Sequence, residues 1–297
     1  MIETLWTSAP AIELTLSLGK RLAVPVHTWE RVDFVDGNTW VRCLDVHRGD
    51  RVGIAVSLWG REVHRQLWEL LFAVDALKRA GAEVTDVIIP YFSYAKADKT
   101  DGVGTSLRVA VVTRALASLP ATRIIWGELH SPVTADLVPG SVEVEMTTLV
   151  REHFRNLVDE TWVVAAPDVG YRTRAEKIAS ALNLTTAWVE KSRPSLTGAP
   201  EVGRLHGEVA GRKVLLVDDF TTTGQTLGRV SDFLRAQGAV SVRAWVSHAP
   251  LNEEAVTFLQ ASSLEEIVTT NSTGLTSAGK IKVIDAASLF APVLTAA

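Results

Sequence analysis

Residues Val214 to Thr226 read VLLVDDFTTTGQT, an apolar β-branched run that meets two adjacent carboxylates and then a Thr/Gly-rich turn ahead of a helical pattern. The run Val214-Leu215-Leu216-Val217 is too short for a helix of its own and reads as a buried parallel strand. Ligands of such sheets bind outside the carboxyl ends of the strands. Thr221, Thr222, Thr223, Gly224 and Thr226 offer hydroxyls and approachable backbone N–H groups at a helix N-terminus, where the peptide dipoles favour an anion. Asp218 and Asp219 would repel that anion, so neutral donors beside it, such as vicinal sugar hydroxyls, are their fitting partners. The stretch points to a phosphorylated sugar. The competing reading is an ordinary strand–turn–helix connection in which Thr and Asp cap the helix.

Outward from this stretch, short β-branched runs alternate with longer helical patterns. Strands are expected at 52–57, 84–90 and 123–126, and again at 161–165, 186–189, 213–217 and 240–246. Between them, HRQLWELLFAVDALKRAG places Leu67, Leu70, Leu71, Val74 and Leu77 at helical spacing, with Gly81 as a C-terminal cap. Further helices are expected at 106–118, 171–182 and 225–237. This is α/β alternation in both halves. IIPYFSYAKAD and VVAAPDVGYRTRAEK each close a buried strand with a Pro/Tyr-containing turn and basic residues, a local echo that supports two similar domains. The boundary is expected near 145–150, giving domains at 1–147 and 148–279, with 280–297 as a candidate return to the first.

With 297 residues the chain is about twice the usual domain size, which agrees with two cores. A net charge of −4 gives no global basic field, so nucleic acid is not an expected partner. Cys43 is the single cysteine, which excludes an intrachain disulfide or a cysteine-rich metal cluster and suits a reducing cytoplasm. The N-terminus lacks a signal-peptide pattern and no apolar run approaches the roughly 20 residues that span a bilayer, so no membrane partner is expected. The nine tryptophans are scattered through apolar segments and read as core or subunit-contact residues. His27, His47, His64, His153, His206 and His248 show no metal-ligand spacing, and no G-x-S-x-G motif or Cys–His pairing occurs.

The cradle stretch resembles the phosphoribosyl-diphosphate (PRPP) motif of type I phosphoribosyltransferases and ribose-phosphate pyrophosphokinases. The resemblance to the pyrophosphokinases extends over roughly 250 residues. FVDGNTWVR near residue 34 is similar to that family's FSDGE stretch, and RGDRVGIAVS to its RG-x-DV strand. ELLFAVDALKRAGA, VIIPYFSYAKADK, GELH, APDVGYRTRA, VEKSRP and VSHAPL then follow in the family's order. The resemblance implies two tandem phosphoribosyltransferase-like domains, each a mostly parallel sheet flanked by helices. It also implies Mg²⁺-dependent transfer of pyrophosphate from ATP to the 1-hydroxyl of ribose 5-phosphate, giving PRPP and AMP. Such a transition state asks for positioned cations around the phosphates rather than a covalent nucleophile.

Residue by residue, the resemblance makes Lys191 and Arg193 the catalytic cations of a loop that follows a strand. A point charge and a planar fork would play different parts there. Asp218 and Asp219 would hold the ribose hydroxyls and Thr221 to Thr226 the 5-phosphate. Phe34, Asp36, Asn38, Lys96, Asp98 and Lys99 would contact the nucleotide, and His130 and Asp168 would be linked to the metal. A homo-oligomer, dimeric or dimer-based, is also implied. The chain departs from the family at Lys96-Ala97-Asp98, where Arg-Gln-Asp is usual, at Asn38 in place of the FSDGE glutamate, and at Glu128 in place of an aspartate. These departures leave open an active synthetase with weakened or relaxed nucleotide choice, a different 5-phosphorylated ribosyl acceptor, or a catalytically weak subunit that regulates a synthetase. An ordinary phosphoribosyltransferase shares the cradle but needs only one such domain.

Overall fold

The computed structural model describes residues 1–100, 102–192 and 201–296. The chain divides into two compact units, the first comprising Met1–Glu145, Asn271–Gly274 and Asp285–Ala297 and the second Met146–Thr270 and Leu275–Ile284.

In the first unit the order is β1 (Thr4–Thr7), α1 (Ile12–Leu22), β2 (Val26–Thr28), β3 (Glu30–Asp33), β4 (Thr39–Arg42), β5 (Arg51–Ala55), α2 (Val63–Arg79), β6 (Glu83–Ile89), α3 (Arg108–Ala117), β7 (Arg123–Gly127), α4 (Val133–Asp136) and β8 (Val142–Val144). Six strands form a parallel sheet in the order β2-β1-β5-β6-β7-β8, while β3 and β4 make a separate antiparallel hairpin. The sheet strands are apolar on both faces, as a doubly covered sheet requires, and Ile54, Val87, Trp126 and Leu70 of α2 are fully buried between the layers.

The second unit continues with α5 (Thr147–Phe154), β9 (Trp162–Ala166), α6 (Arg172–Leu182), β10 (Thr185–Ser192), β11 (Glu201–His206), β12 (Lys213–Phe220), α7 (Gln225–Ala236), β13 (Ser241–His248), α8 (Glu253–Ala261), β14 (Glu266–Thr270) and β15 (Ile281–Ile284). Its seven-stranded sheet runs β11-β10-β9-β12-β13-β14-β15, parallel except where β11 folds back against β10. Val163, Val214, Leu216, Val242 and Leu227 of α7 are among its core residues.

The closing helix, α9 (Ala287–Thr295), packs against α1 in the first unit. Asp285 anchors it: Ser17 Oγ donates to its carboxylate at 2.5 Å, Asn271 Nδ2 at 3.0 Å and the Ala287 N–H at 3.0 Å, with Arg21 at 3.4 Å. The expected return of 280–297 therefore splits. Residues 281–284 pair with β14 in the second sheet, and only the stretch from Asp285 onward belongs to the first unit.

The expected strands and helices are present, with one informative extension: β12 does not stop at Val217 but runs through Asp218, Asp219 and Phe220. Asp218 lies opposite Val246 and Phe220 opposite His248 of β13, so the acidic pair is part of the ladder and is aimed by its pleat. Of the tryptophans, Trp6, Trp126, Trp162 and Trp245 are core residues, whereas Trp40 and Trp68 face outward.

Candidate active site

In the second unit the chain leaves β9 by α6 to reach β10 on one side, while β12 lies on the other side of β9. The strand order thus reverses between β9 and β12, and the crevice outside their carboxyl ends is where an open α/β sheet takes its ligand. Ala165 pairs with Leu216, so Asp168, three residues past Ala165, and the pair Asp218–Asp219 leave the sheet at the same edge.

Asp168 caps a 3₁₀ turn, its carboxylate accepting the Tyr171 N–H at 3.3 Å. The Asp218 carboxylate accepts the Asp219 N–H at 3.0 Å, and that of Asp219 accepts the Phe220 N–H at 2.8 Å. Asp219 is only 4% exposed. Burial pushes the Asp218 carboxyl well above the usual carboxylate range, and the charges of Asp219 and Asp168 push it the same way. Three acidic groups share one strand edge, and the site favours a counter-charge there.

The turn after β12 is built by its own side chains. Thr221 is buried, its N–H donating to the His248 carbonyl at 3.0 Å and its Oγ1 accepting the Gly224 N–H at 3.2 Å. Gly224 has φ +73°, and a Cβ placed there would come within 2.5 Å of Leu259 Cγ, so only glycine fits. Thr223 Oγ1 accepts the Gln225 N–H at 3.4 Å. Thr222, Thr223 and Thr226 are exposed at the start of the twelve-residue α7, where hydroxyls and the helix dipole face solvent together. Of the five residues expected to wrap a phosphate, Thr221 is instead turned inward as the strut of the loop.

Lys191 was expected in a loop after a strand. Its backbone is the penultimate residue of β10, paired with Val202 of β11 just past a register shift between Glu190 and Lys191. The last parallel pair of β10 with β9 is Trp188 with Ala166, so Lys191 stands three residues beyond it, at the carboxyl edge that carries Asp168. Arg193 lies outside the described residues. Sequence reasoning missed the support at the root of this hairpin. The Trp188 and His206 rings stack at 4.7 Å and 2°, the Arg172 guanidinium sits 4.0 Å from the Trp188 ring, and His206 Nε2 lies 2.9 Å from Glu190. The separation of Trp188 from His206 along the chain left no local signal for this stack.

In the first unit, Ile89 pairs with Trp126, which sets the chain leaving β6 beside the chain leaving β7. The first carries Lys96 at the end of a 3₁₀ turn (Ser93–Lys96), followed by Asp98 and Lys99; the second carries Glu128 and His130. Lys96, Lys99 and His130 are exposed, while Ala97 and Glu128 are buried. The Leu129 N–H donates to Glu143 at 2.9 Å and steadies the loop. Phe34, Asp36 and Asn38 form the tip of the β3–β4 hairpin, closed by the Phe34 N–H to the Asn38 carbonyl at 2.8 Å and by Asp36 accepting the Asn38 N–H at 3.0 Å. Phe34 is half exposed there, its ring open for stacking.

The donor set at the β9–β12 edge consists of carboxylate oxygens, the hard ligands a small divalent cation prefers. Among the described residues no group of three or more His, Cys, Asp or Glu could hold a metal by itself. A cation here needs additional ligands from substrate phosphates and water, the manner in which Mg²⁺ binds, and the residues fit that requirement.

Fold and site together define an α/β protein built of two phosphoribosyltransferase-like units. Residues 5–119 match the N-terminal domain of ribose phosphate pyrophosphokinase and residues 141–273 a phosphoribosyl transferase domain. The ribose-phosphate pyrophosphokinase of Maricaulis maris is 33% identical over 269 residues, 88% of this chain and 84% of that one. The Bacillus caldolyticus protein of the same name is 32% identical over 84% of this chain and 79% of its own length. The crystal structure of phosphoribosylpyrophosphate synthetase from Mycobacterium smegmatis superposes with a TM-score of 0.87 at 27% identity, covering 99% of this chain and 98% of that one. The chain belongs to the ribose-phosphate pyrophosphokinase family of enzymes. No helix among the described residues is long and apolar enough to cross a membrane.

Proposed function

We propose that this chain transfers the β,γ-diphosphoryl group of ATP to the anomeric hydroxyl of ribose 5-phosphate, yielding PRPP and AMP. The convergence of Asp168, Asp218 and Asp219 beside the Thr/Gly turn at the β9–β12 edge carries the reading. Thr222, Thr223, Thr226 and the start of α7 take the 5-phosphate, and Asp218 and Asp219 accept hydrogen bonds from the ribose hydroxyls. The O1–Pβ bond forms as the bond from Pβ to the α-phosphate oxygen breaks, AMP leaves, and the hydroxyl proton passes to water. Lys191 and Arg193 offset charge on the transferring group.

Mg²⁺, held by Asp168 and the neighbouring carboxylates with His130 assigned to it by resemblance, neutralises phosphate charge when bound. Phe34 stacks on the base, Asp36 and Asn38 meet its edge, and Lys96, Asp98 and Lys99 serve the phosphate side. Ala97 is buried and has no amide to offer a base, which favours a broader nucleotide choice than an Arg-Gln pair would allow. The exposed Trp40, Trp68 and Phe72 support self-association into a dimer or a dimer-based oligomer, and the lone Cys43 supports a cytoplasmic setting.

Incubation with Mg²⁺, ribose 5-phosphate and ATP labelled in its β-phosphate tests the reaction. The label is expected in the 1-diphosphate of PRPP. Label recovered only in free phosphate or in unreacted ATP would sink the assignment.

A further inference from the structure

The first unit has a strand-order reversal of its own. The chain goes from β1 to β2 on one side, and β5 adds to the other side of β1. This matches the relation of β9, β10 and β12 in the second unit, so the turn Ser57–Glu62 before α2 stands where the Thr/Gly cradle stands before α7. A cavity of about 470 Å³ opens at this reversal, lined by Ser8 after β1, by Trp59, Arg61 and Glu62 after β5, by Arg65 and Glu69 on α2, and by Arg31.

Among the described residues, Ser8 Oγ and Trp59 Nε1 are buried in the lining without a hydrogen-bond partner, while Arg65 Nε has only its ion-pair contact with Glu69 at 3.3 Å. The indole N–H can only donate, so the unmet demand at Trp59 is for an acceptor. The charges agree in sign. Arg31 and Arg65 share Glu69, at 2.9 and 3.3 Å, and Arg65 also reaches Glu62 at 2.6 Å, while Asp33 lies 3.3 Å from Arg31 Nε outside the lining. These pairs hold the two guanidinium planes in place. Among the described residues exposed Arg61 makes no ion pair, so the lining carries three positive side chains against two negative ones. The α2 N-terminus adds partial positive charge, offset in part by Glu62 at its N-cap. The volume is within the roughly 300–1,000 Å³ of small-molecule sites and exceeds what a bare oxyanion fills.

We propose that the crevice between the carboxyl ends of β1 and β5 is a second small-molecule site, which takes a phosphorylated ligand of nucleotide size. Arg61, Arg65 and the Trp59 N–H meet the phosphate, and the organic part lies against the indole. The site lies wholly within the first unit and uses none of the residues assigned to pyrophosphate transfer.

Fluorine NMR of fluorotryptophan-labelled protein tests it, with the Trp59 signal assigned by Trp59→Phe. The protein is titrated with adenosine monophosphate and, separately, with inorganic phosphate. The Trp59 signal is expected to move saturably with the nucleotide, at least tenfold more weakly in Arg61→Ala and in Ser8→Ala, and unchanged in Asp219→Asn. A signal that stays still at millimolar nucleotide, or moves equally in Arg61→Ala, overturns the proposal. So does movement lost in Asp219→Asn, since the ligand would then sit in the cradle. Equal affinity for phosphate alone overturns the nucleotide-sized ligand. Because the readout is Trp59 rather than turnover, the test stands apart from the proposed reaction.

Discussion

The two units set the same reversal of strand order to different chemistry. At the β9–β12 edge of the second unit stand Asp168, Asp218 and Asp219, followed by a Thr/Gly turn whose buried Thr221 braces a left-handed Gly224. At the β1–β5 edge of the first stand Ser8, Trp59 and three arginines, with no aspartate in the lining. A parallel sheet supplies the place by topology alone, and the side chains on two short turns decide what can be bound there.

The largest expected effect separates the two edges by turnover. Lys191→Ala should lower kcat by about 10²–10³, the usual loss when one group stabilising transition-state charge is removed. Arg61→Ala should leave kcat with ATP and ribose 5-phosphate unchanged. Comparable losses in both variants would erase the distinction. Next, Asp219→Asn should weaken ribose 5-phosphate on the order of tenfold to a hundredfold, as expected for lost hydrogen bonds to a charged group. Nucleotide affinity should move much less, and calorimetric titration of each ligand checks it.

A paired substitution probes the turns themselves. Gly224→Ala combines a left-handed backbone with a clash against Leu259, so a loss of about 1–3 kcal/mol in denaturant unfolding is expected. Gly60, at the corresponding turn with φ +83°, has no atom within 4 Å of a built Cβ, so Gly60→Ala should cost only the backbone term, about 1 kcal/mol.

The smallest effect is in pH dependence, where the units should respond with opposite sign. Asp218 holds its proton more tightly folded than unfolded. Its contribution to stability is present below the ordinary value of 3.8 and is lost as pH rises through the raised folded value, and Asp218→Asn should flatten that loss in the ligand-free protein. Burial pushes Asp285 up, but hydrogen bonds from Ser17, the Ala287 N–H and Asn271, with the charge of Arg21, more than offset it and leave the carboxyl below 3.8. Its contribution is present above 3.8 and lost as pH falls through the lowered folded value. Thermal melts of wild type, Asp218→Asn and Asp285→Asn across pH check both signs.

The cradle was legible because a buried strand, an acidic pair and a small-residue turn are contiguous in the chain. The true end of β12 was not. Hydrophobicity marks a strand only where both faces are covered, and at Asp218 and Asp219 the strand emerges from the layers while its ladder with β13 continues. β1, β8 and β15, of three or four residues, are too short for a periodic signal. The echo seen between IIPYFSYAKAD and VVAAPDVGYRTRAEK matched β6 with β9, whereas topology pairs β9 with β1 and β12 with β5. The counterpart of VLLVDDFTTTGQT is VGIAVSLWGREVH. Its Trp and Arg share no residue type with the Thr and Asp of the cradle, which left sequence comparison nothing to find.

Phosphorus NMR of the purified protein with Mg²⁺, ATP and ribose 5-phosphate tests the central claim most directly. PRPP and AMP should accumulate together in equal amounts, and both should form about a hundredfold or more slowly in Lys191→Ala. ATP left unchanged, or consumed to free phosphate without PRPP, would contradict the assignment of pyrophosphate transfer to the β9–β12 edge.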